Sequence, residues 1–212
     1  MQGLWLEFAQ VAGAHLLAVA SPGPDFAIVL KQSLAHGRRT ALWTCCGVGT
    51  AILLHVTYSL LGLGLLIGGS ERWFTAVKFA GAAYLAWMGI QALRAKPRAG
   101  DGLEGAVEGK GSPTDAAAFA KGFLTNALNP KATLFFISLF AVVVSPHTPK
   151  LVQAGYGAWM ALATAAWFSL VAVLFTQVPV RRAFLRHGHW IDRALGVVFL
   201  IFAVSLVVAK IR

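Results

Sequence analysis

Charged residues are scarce in this chain, and their scarcity excludes a soluble globular protein. Of the 212 residues, 12% are charged and 58% are hydrophobic, whereas soluble domains carry about 25% charged residues. A membrane-spanning helix needs about 20 largely apolar residues. About six stretches meet that requirement, at 4–31, 40–68, 73–93, 116–144, 151–178 and 191–209. The composition therefore predicts an all-α integral membrane protein with about six transmembrane helices.

Two further absences narrow the function. The chain has no phosphate-binding GxxxxGK[ST] motif, which excludes an ATP-driven pump within it. Its two cysteines, Cys45 and Cys46, are adjacent in an apolar stretch, so they point to different sides of a helix and favour neither a metal site nor a disulfide. No nucleophile–base pair is evident. We expect no cofactor, no metal and no enzymatic activity. A membrane enzyme, a thiol or redox carrier and a membrane subunit without transport of its own stay open as alternatives.

The net charge of +10 is explained by a membrane better than by a nucleic acid. Basic residues lie in short segments between apolar stretches, and cytoplasmic loops carry an excess of Lys and Arg. With six spans, twelve basic residues fall on one side: Lys31, Arg38, Arg39, Arg94, Lys96, Arg98, Lys110, Lys121, Arg181, Arg182, Arg186 and Arg193. Five fall on the other: Arg72, Lys78, Lys150, Lys210 and Arg212. This asymmetry predicts cytoplasmic loops near 32–39, 94–115 and 179–190, both termini outside, and no nucleic-acid partner.

A Gly-rich, charged segment at about 95–114 separates two halves of the chain. It lacks periodic apolar residues and is predicted to be a mobile loop. We expect one transmembrane domain over 1–212, with a first repeat at about 1–93, a cytoplasmic linker at about 94–115 and a second repeat at about 116–212. Three matches relate the halves, at offsets of 106, 108 and 115 residues: Pro24 with Pro130, Gly47-Val48-Gly49 with Gly155-Tyr156-Gly157, and Gly81 with Gly196. Because each half has three spans, these are predicted to be inverted repeats.

The first apolar stretch is broken by Ser21-Pro22-Gly23-Pro24-Asp25. Proline removes a backbone donor and fixes φ, so the helix ends before Pro22 and restarts from Ser21 or Gly23. The new N-terminus has free N–H groups, which suit a carboxylate. Asp25 is either a helix cap or a functional acid, and acids within a membrane are usually functional.

The fourth stretch is broken in the same way by Asn129-Pro130-Lys131. Asn129 is a favourable N-cap and Pro130 a favourable first helical residue. A cation in the first turn of a helix is electrostatically unfavourable, so Lys131 needs a partner, for which Asp25 is the first candidate. Asn126 is predicted to face the same cavity. The alternative is that Lys131 extends to a nearby membrane interface.

Two histidines lie within the apolar stretches. His55 in the second and His15 in the first titrate near neutral pH, so either can relay protons. Buried histidines that bind a backbone carbonyl are also common. We retain His55 as the candidate proton relay, and the sequence does not decide whether His15 takes part.

These motifs resemble the LysE/RhtB family of amino-acid exporters. The resemblance covers nearly the whole chain, including the Pro-Gly-Pro-Asp break, the basic turn at Gly37-Arg38, Gly81 with Tyr84-Leu85, and the G-x-x-x-N-x-x-N-P-K run from Gly122 to Lys131. Two proline motifs at this separation are specific. The sequence does not specify which amino acid is carried.

The resemblance implies a secondary exporter of amino acids or close derivatives in the bacterial inner membrane, driven by the proton or another ion gradient. Paired broken helices mark the substrate site of many transporters. The predicted substrate- and ion-binding residues are Ser21, Pro22, Gly23, Pro24, Asp25, Asn126, Asn129, Pro130 and Lys131. The expected partners are a small-molecule substrate and the lipid bilayer. A homo-oligomer is compatible with the sequence, which does not specify the oligomeric state.

The Lys and Arg asymmetry generates a test of topology. A reporter that is active only in the cytoplasm should work when inserted near Gly105 and fail when fused after Arg212. Cytoplasmic activity of the C-terminal fusion would overturn the predicted orientation.

Overall fold

The computed structural model of the protein describes residues 2–21, 23–69, 71–96, 112–145, 147–175 and 177–208. These residues form helices and no strand. Seven helices follow one another: α1 (Gln2–Ala20), α2 (Pro24–Gly69), α3 (Glu71–Leu93), α4 (Asp115–Ala127), α5 (Pro130–Val142), α6 (Lys150–Leu174) and α7 (Val178–Val208). The predicted all-helical architecture is confirmed.

Both predicted breaks are present at the predicted residues. The backbone N–H of Ala27 donates to the Gly23 carbonyl oxygen at 3.0 Å, so the helix restarts from Gly23. At the second break, the Asn129 side chain accepts from the Lys131 backbone N–H at 3.0 Å. Pro130 begins α5, where its missing N–H removes no helical bond. The local helix chemistry that the sequence predicts at both breaks is confirmed.

Of the predicted loops, one is shorter than expected and one is wrong. Within 32–39, two helical segments of α2 meet at a kink at Gly37, whose φ of 80° and ψ of −179° are accessible to glycine without strain. The segment 179–190 belongs to α7. Its one proline, Pro179, lies in the first turn, where proline is tolerated, and arginine and alanine favour a helix. Residues 97–111 of the predicted linker lie outside the described residues.

The described helices include three that are long and apolar enough to cross a membrane, at Gly3–Ala20, Pro24–Leu61 and Lys150–Leu174. Shorter apolar helices cover Phe79–Leu93 and Pro130–Ala141. Large apolar side chains are strongly exposed on the outer surface, for example Leu151, whose exposed fraction is 85%. Such a surface is unfavourable in water and suits a lipid bilayer. The number of spans and the arrangement in two repeats stay predictions.

Close contact between α2 and α4 places the second break beside the first. A Cβ on Gly122 would lie 2.0 Å from the Thr44 carbonyl oxygen, and one on Gly47 would lie 2.1 Å from the Phe119 carbonyl oxygen. The Thr44 hydroxyl donates to the Ala118 carbonyl oxygen at 3.2 Å. Small residues of this kind let helix backbones approach each other in a membrane. The crossing fixes the C-terminal end of α4, which carries Asn126.

An ion pair joins the same two helices at the end next to the linker. The Arg39 guanidinium donates to both carboxylate oxygens of Asp115, at 3.1 and 2.7 Å. These hydrogen bonds lower the pKa of the Asp115 carboxyl group. Both side chains reach the surface, where such pairs contribute little to stability. The glycine contact therefore dominates the α2–α4 interface.

Gly122→Ala is expected to destabilise the protein by roughly 1–3 kcal/mol or more, because the added methyl group meets a backbone carbonyl that cannot move aside. Gly155→Ala is the matched control, since a Cβ on Gly155 in α6 meets nothing within 4 Å. Thermal unfolding in detergent should show a large loss of stability for Gly122→Ala and none for Gly155→Ala. Equal effects would contradict a tight α2–α4 crossing.

Candidate functional site

A cavity lies where the two helix breaks meet. Its wall combines polar groups from both breaks with aromatic side chains from α2, α5 and α6. The lining residues are His15, Ala18, Val19, Ser21, Gly23, Asp25, Phe26, Ile52, Asn126, Asn129, Lys131, Ala132, Phe135, Phe136, Thr164 and Phe168. The cavity thus joins residues that are more than 100 positions apart in the sequence.

The Asp25 carboxylate is held by the other break. Its Oδ2 atom accepts from the side-chain amides of Asn126 at 3.0 Å and Asn129 at 2.9 Å. Its Oδ1 atom is buried without a hydrogen-bond partner among the described residues. Among the described residues, no backbone donor contacts this carboxylate, which argues against Asp25 as a helix cap. One carboxylate oxygen is fixed and the other is free to receive a donor.

Lys131 reaches back from the second break to the first. Its Nζ atom donates to the Ser21 backbone carbonyl oxygen at 3.0 Å, and its side chain lies 3.5 Å from where a Cβ on Gly23 would be. The ammonium therefore does not extend to a membrane interface. The predicted partner, Asp25, lines the same cavity and interacts with Lys131 electrostatically. The hydrogen bonds of each charge go to other groups across that cavity. An ammonium has three donors, and the Ser21 contact uses one of them.

His55 lies behind Asn126. Its Nε2 atom is 3.1 Å from both the backbone oxygen and the side-chain oxygen of Asn126, and its Nδ1 atom contacts the Tyr58 hydroxyl. Both Asn126 atoms only accept, so Nε2 carries the proton and Nδ1 accepts from Tyr58. This contact directs the Asn126 oxygen toward His55 and its amide nitrogen toward Asp25. His55 thus orients the amide that holds the carboxylate.

His15 lines the cavity directly. Its side chain is 1% exposed, and its Nε2 atom lies 3.1 Å from the Met160 carbonyl oxygen and 2.9 Å from Thr164 Oγ1. Its Nδ1 atom is buried without a partner among the described residues. His15 and Thr164 therefore form a second hydrogen-bonding position in the cavity wall, apart from the two breaks.

Aromatic rings form much of the remaining wall. Phe136 lies between the two histidines: it stacks on His55 with ring centroids 5.4 Å apart, and its centroid is 5.8 Å from that of His15. Phe135 packs edge-on against Phe136. The Lys131 Nζ atom lies 5.9 Å from the centroid of Phe199. An apolar wall lowers the local dielectric and strengthens the interactions of the few polar groups in it.

The predicted site residues divide into four groups. Six line the cavity: Ser21, Gly23, Asp25, Asn126, Asn129 and Lys131. Pro24 and Pro130 begin their helices beside it and have exposed side chains. Pro22 lies outside the described residues, and His55 supports Asn126 from behind.

Sequence reasoning missed Thr164 and the aromatic wall. Thr164 lies 109 positions after His55, close to the offset of 108 that relates the paired glycines of the two halves. The repeat could therefore have indicated it. The phenylalanines carry no such signal, because aromatic residues occur throughout apolar helices.

Comparison with known proteins supports the resemblance. A family model described as LysE type translocator matches residues 16–210. The threonine efflux protein of Salmonella typhi is 34% identical over 209 residues, covering 96% of this chain and 98% of that protein. The threonine efflux protein of Escherichia coli (strain K12) is 33% identical over 207 residues, with the same coverage of 96% and 98%.

A more distant relative is the homoserine/homoserine lactone efflux protein of Salmonella typhimurium. It is 32% identical over 146 residues, covering 69% of this chain and 68% of that protein. No solved structure matches the chain. The family match over most of the chain, together with the broken helices, confirms the predicted family: the chain belongs to the LysE type translocators.

Proposed function

We propose that the chain exports a small amino acid across the bacterial inner membrane, with the cavity between the two breaks as its binding site. The observation that carries the proposal is that a free carboxylate oxygen of Asp25 and the ammonium of Lys131 line one buried cavity. An amino acid carries an ammonium and a carboxylate, so each end of the substrate has a complementary charge.

The two substrate groups are assigned by charge. The substrate ammonium donates to Asp25 Oδ1, which has no other partner among the described residues. The substrate carboxylate accepts from the remaining donors of Lys131. Charge-assisted hydrogen bonds of this kind are stronger than neutral ones, and the apolar wall strengthens them further.

The substrate class is inferred from the relatives and from the side chains that line the cavity. The relatives are named for efflux of threonine and of homoserine, which are small amino acids with one side-chain hydroxyl. Phe135, Phe136 and Phe168 line the cavity and offer no counter-charge for a basic or acidic side chain. We therefore infer a small, uncharged amino acid.

Proton coupling is the energy source that the site favours. Asp25 can release the substrate ammonium by taking up a proton from outside, since the carboxylate cannot hold both. Each outward movement of substrate would then return one proton to the cytoplasm. The alternative of a proton path through His55 stays a prediction, and the contacts of both its ring nitrogens favour an orienting role instead.

Membership of a translocator family confirms the prediction that the chain is not an enzyme. The alternative of a membrane subunit without transport of its own predicts no uptake by vesicles that contain this chain alone. The termini are proposed to lie outside, on the basis of the Lys and Arg asymmetry.

Inside-out vesicles that contain the chain should accumulate radiolabelled threonine or homoserine when a proton gradient is imposed. Asp25→Asn should abolish accumulation of the amino acid above its external concentration. It should also remove the pH dependence of uptake, because an amide cannot exchange an ammonium for a proton. Glu7→Gln is the matched control. Glu7 is also an acidic residue in an apolar helix, but its carboxylate accepts hydrogen bonds from Ser145 and Thr148, which do not line the cavity. Full gradient-driven accumulation by Asp25→Asn would place coupling elsewhere.

A further inference from the structure

His15 is a buried polar group that the proposed binding of ammonium and carboxylate does not use. Both His15 and Thr164 line the cavity. When the ammonium and carboxylate of a substrate bind at the breaks, its side chain is the group that remains to contact His15 and Thr164.

The hydrogen bonds of His15 fix what its free nitrogen can do. The Met160 carbonyl oxygen only accepts, so Nε2, at 3.1 Å from it, carries the proton of the neutral ring. The other nitrogen, Nδ1, is then an acceptor, and it has no partner among the described residues. A buried acceptor without a donor is unfavourable, so this atom is suited to receive a donor from a ligand.

The surroundings select the kind of donor. The ring centroids of Phe135 and Phe136 lie 6.3 and 5.8 Å from that of His15. Asp25 is the one acid among the described residues that line the cavity. A charged ammonium at the end of a long side chain would lack a counter-charge at His15. A neutral hydroxyl can donate one hydrogen bond to Nδ1 and needs no counter-charge.

We propose that His15 recognises the side-chain hydroxyl of the transported amino acid, with Nδ1 accepting the hydrogen bond and the Met160 carbonyl and Thr164 holding the ring. This inference rests on the proposed function and deepens it, because it names small hydroxylated amino acids as the preferred substrates. His15 is then a specificity residue, and Thr164 is a positioning residue that acts through it.

The test compares substrates that differ only in the hydroxyl. Threonine and homoserine both become 2-aminobutyrate when the hydroxyl is replaced by hydrogen. Uptake into inside-out vesicles should give the wild type a kcat/KM for threonine or homoserine at least about 10-fold above that for 2-aminobutyrate, since the apolar analogue leaves a buried acceptor unpaired. Equal values for the wild type would overturn the proposal.

His15→Phe keeps a ring and removes the acceptor. This variant should bring the ratio of kcat/KM for threonine or homoserine to kcat/KM for 2-aminobutyrate close to one, by raising KM for the hydroxylated substrates. Continued uptake of 2-aminobutyrate would prove that the variant is folded. His15→Asn, whose oxygen lies near the position of Nδ1, should keep part of the preference. Thr164→Val should lower it by a smaller factor, because Met160 still binds Nε2. If His15→Phe fails to reach the membrane, His15→Ala removes the same acceptor.

His189→Phe is the matched control. His189 is also buried, and its Nδ1 has no partner among the described residues, but it lies in α7 and does not line the cavity. The preference of the His189→Phe variant for threonine or homoserine over 2-aminobutyrate should equal that of the wild type. An unchanged preference in His15→Phe would overturn the proposal while leaving amino-acid export standing, whereas no uptake of any amino acid by the wild type would reject the proposed function itself.

Discussion

The hydrogen bonds between the two helix breaks are the interaction on which the rest of the site depends. A broken helix in a membrane exposes backbone groups that lipid cannot satisfy. Here each break supplies what the other lacks: Lys131 from the second binds the Ser21 carbonyl of the first, and Asn126 and Asn129 bind Asp25. Each break therefore stabilises the other.

This reciprocity leaves charge available for a ligand. Because two amides hold one oxygen of Asp25, the carboxylate is fixed without being neutralised, and its second oxygen stays open. Because a backbone carbonyl holds Lys131, the ammonium keeps free donors. Because the hydrogen bonds of each charge go to other groups, the proposed binding mode can offer both charges to the two ends of an amino acid. The α2–α4 glycine contact holds the two breaks in place.

The sequence predicted the features that depend on local chemistry. Proline dictates where a helix stops and asparagine caps the next one, so both breaks and the cap at Asn129 were predictable. Features that depend on packing were not. No local rule shows that the amides of Asn126 and Asn129 both donate to Asp25, or that 179–190 continues as a helix. The unpartnered nitrogen of His15 depends on its neighbours in α6, which only the fold brings together.

The central claim is that Lys131 binds the substrate carboxylate while Asp25 binds its ammonium. Isothermal titration of the purified protein with threonine and with threonine methyl ester tests it most directly, because the ester keeps the ammonium and the hydroxyl but has lost the negative charge. The wild type should bind threonine at least about 10-fold more tightly than the ester. Lys131→Met should lower the affinity for threonine to that for the ester and leave the ester unaffected. Undiminished discrimination between the two in Lys131→Met would contradict the account.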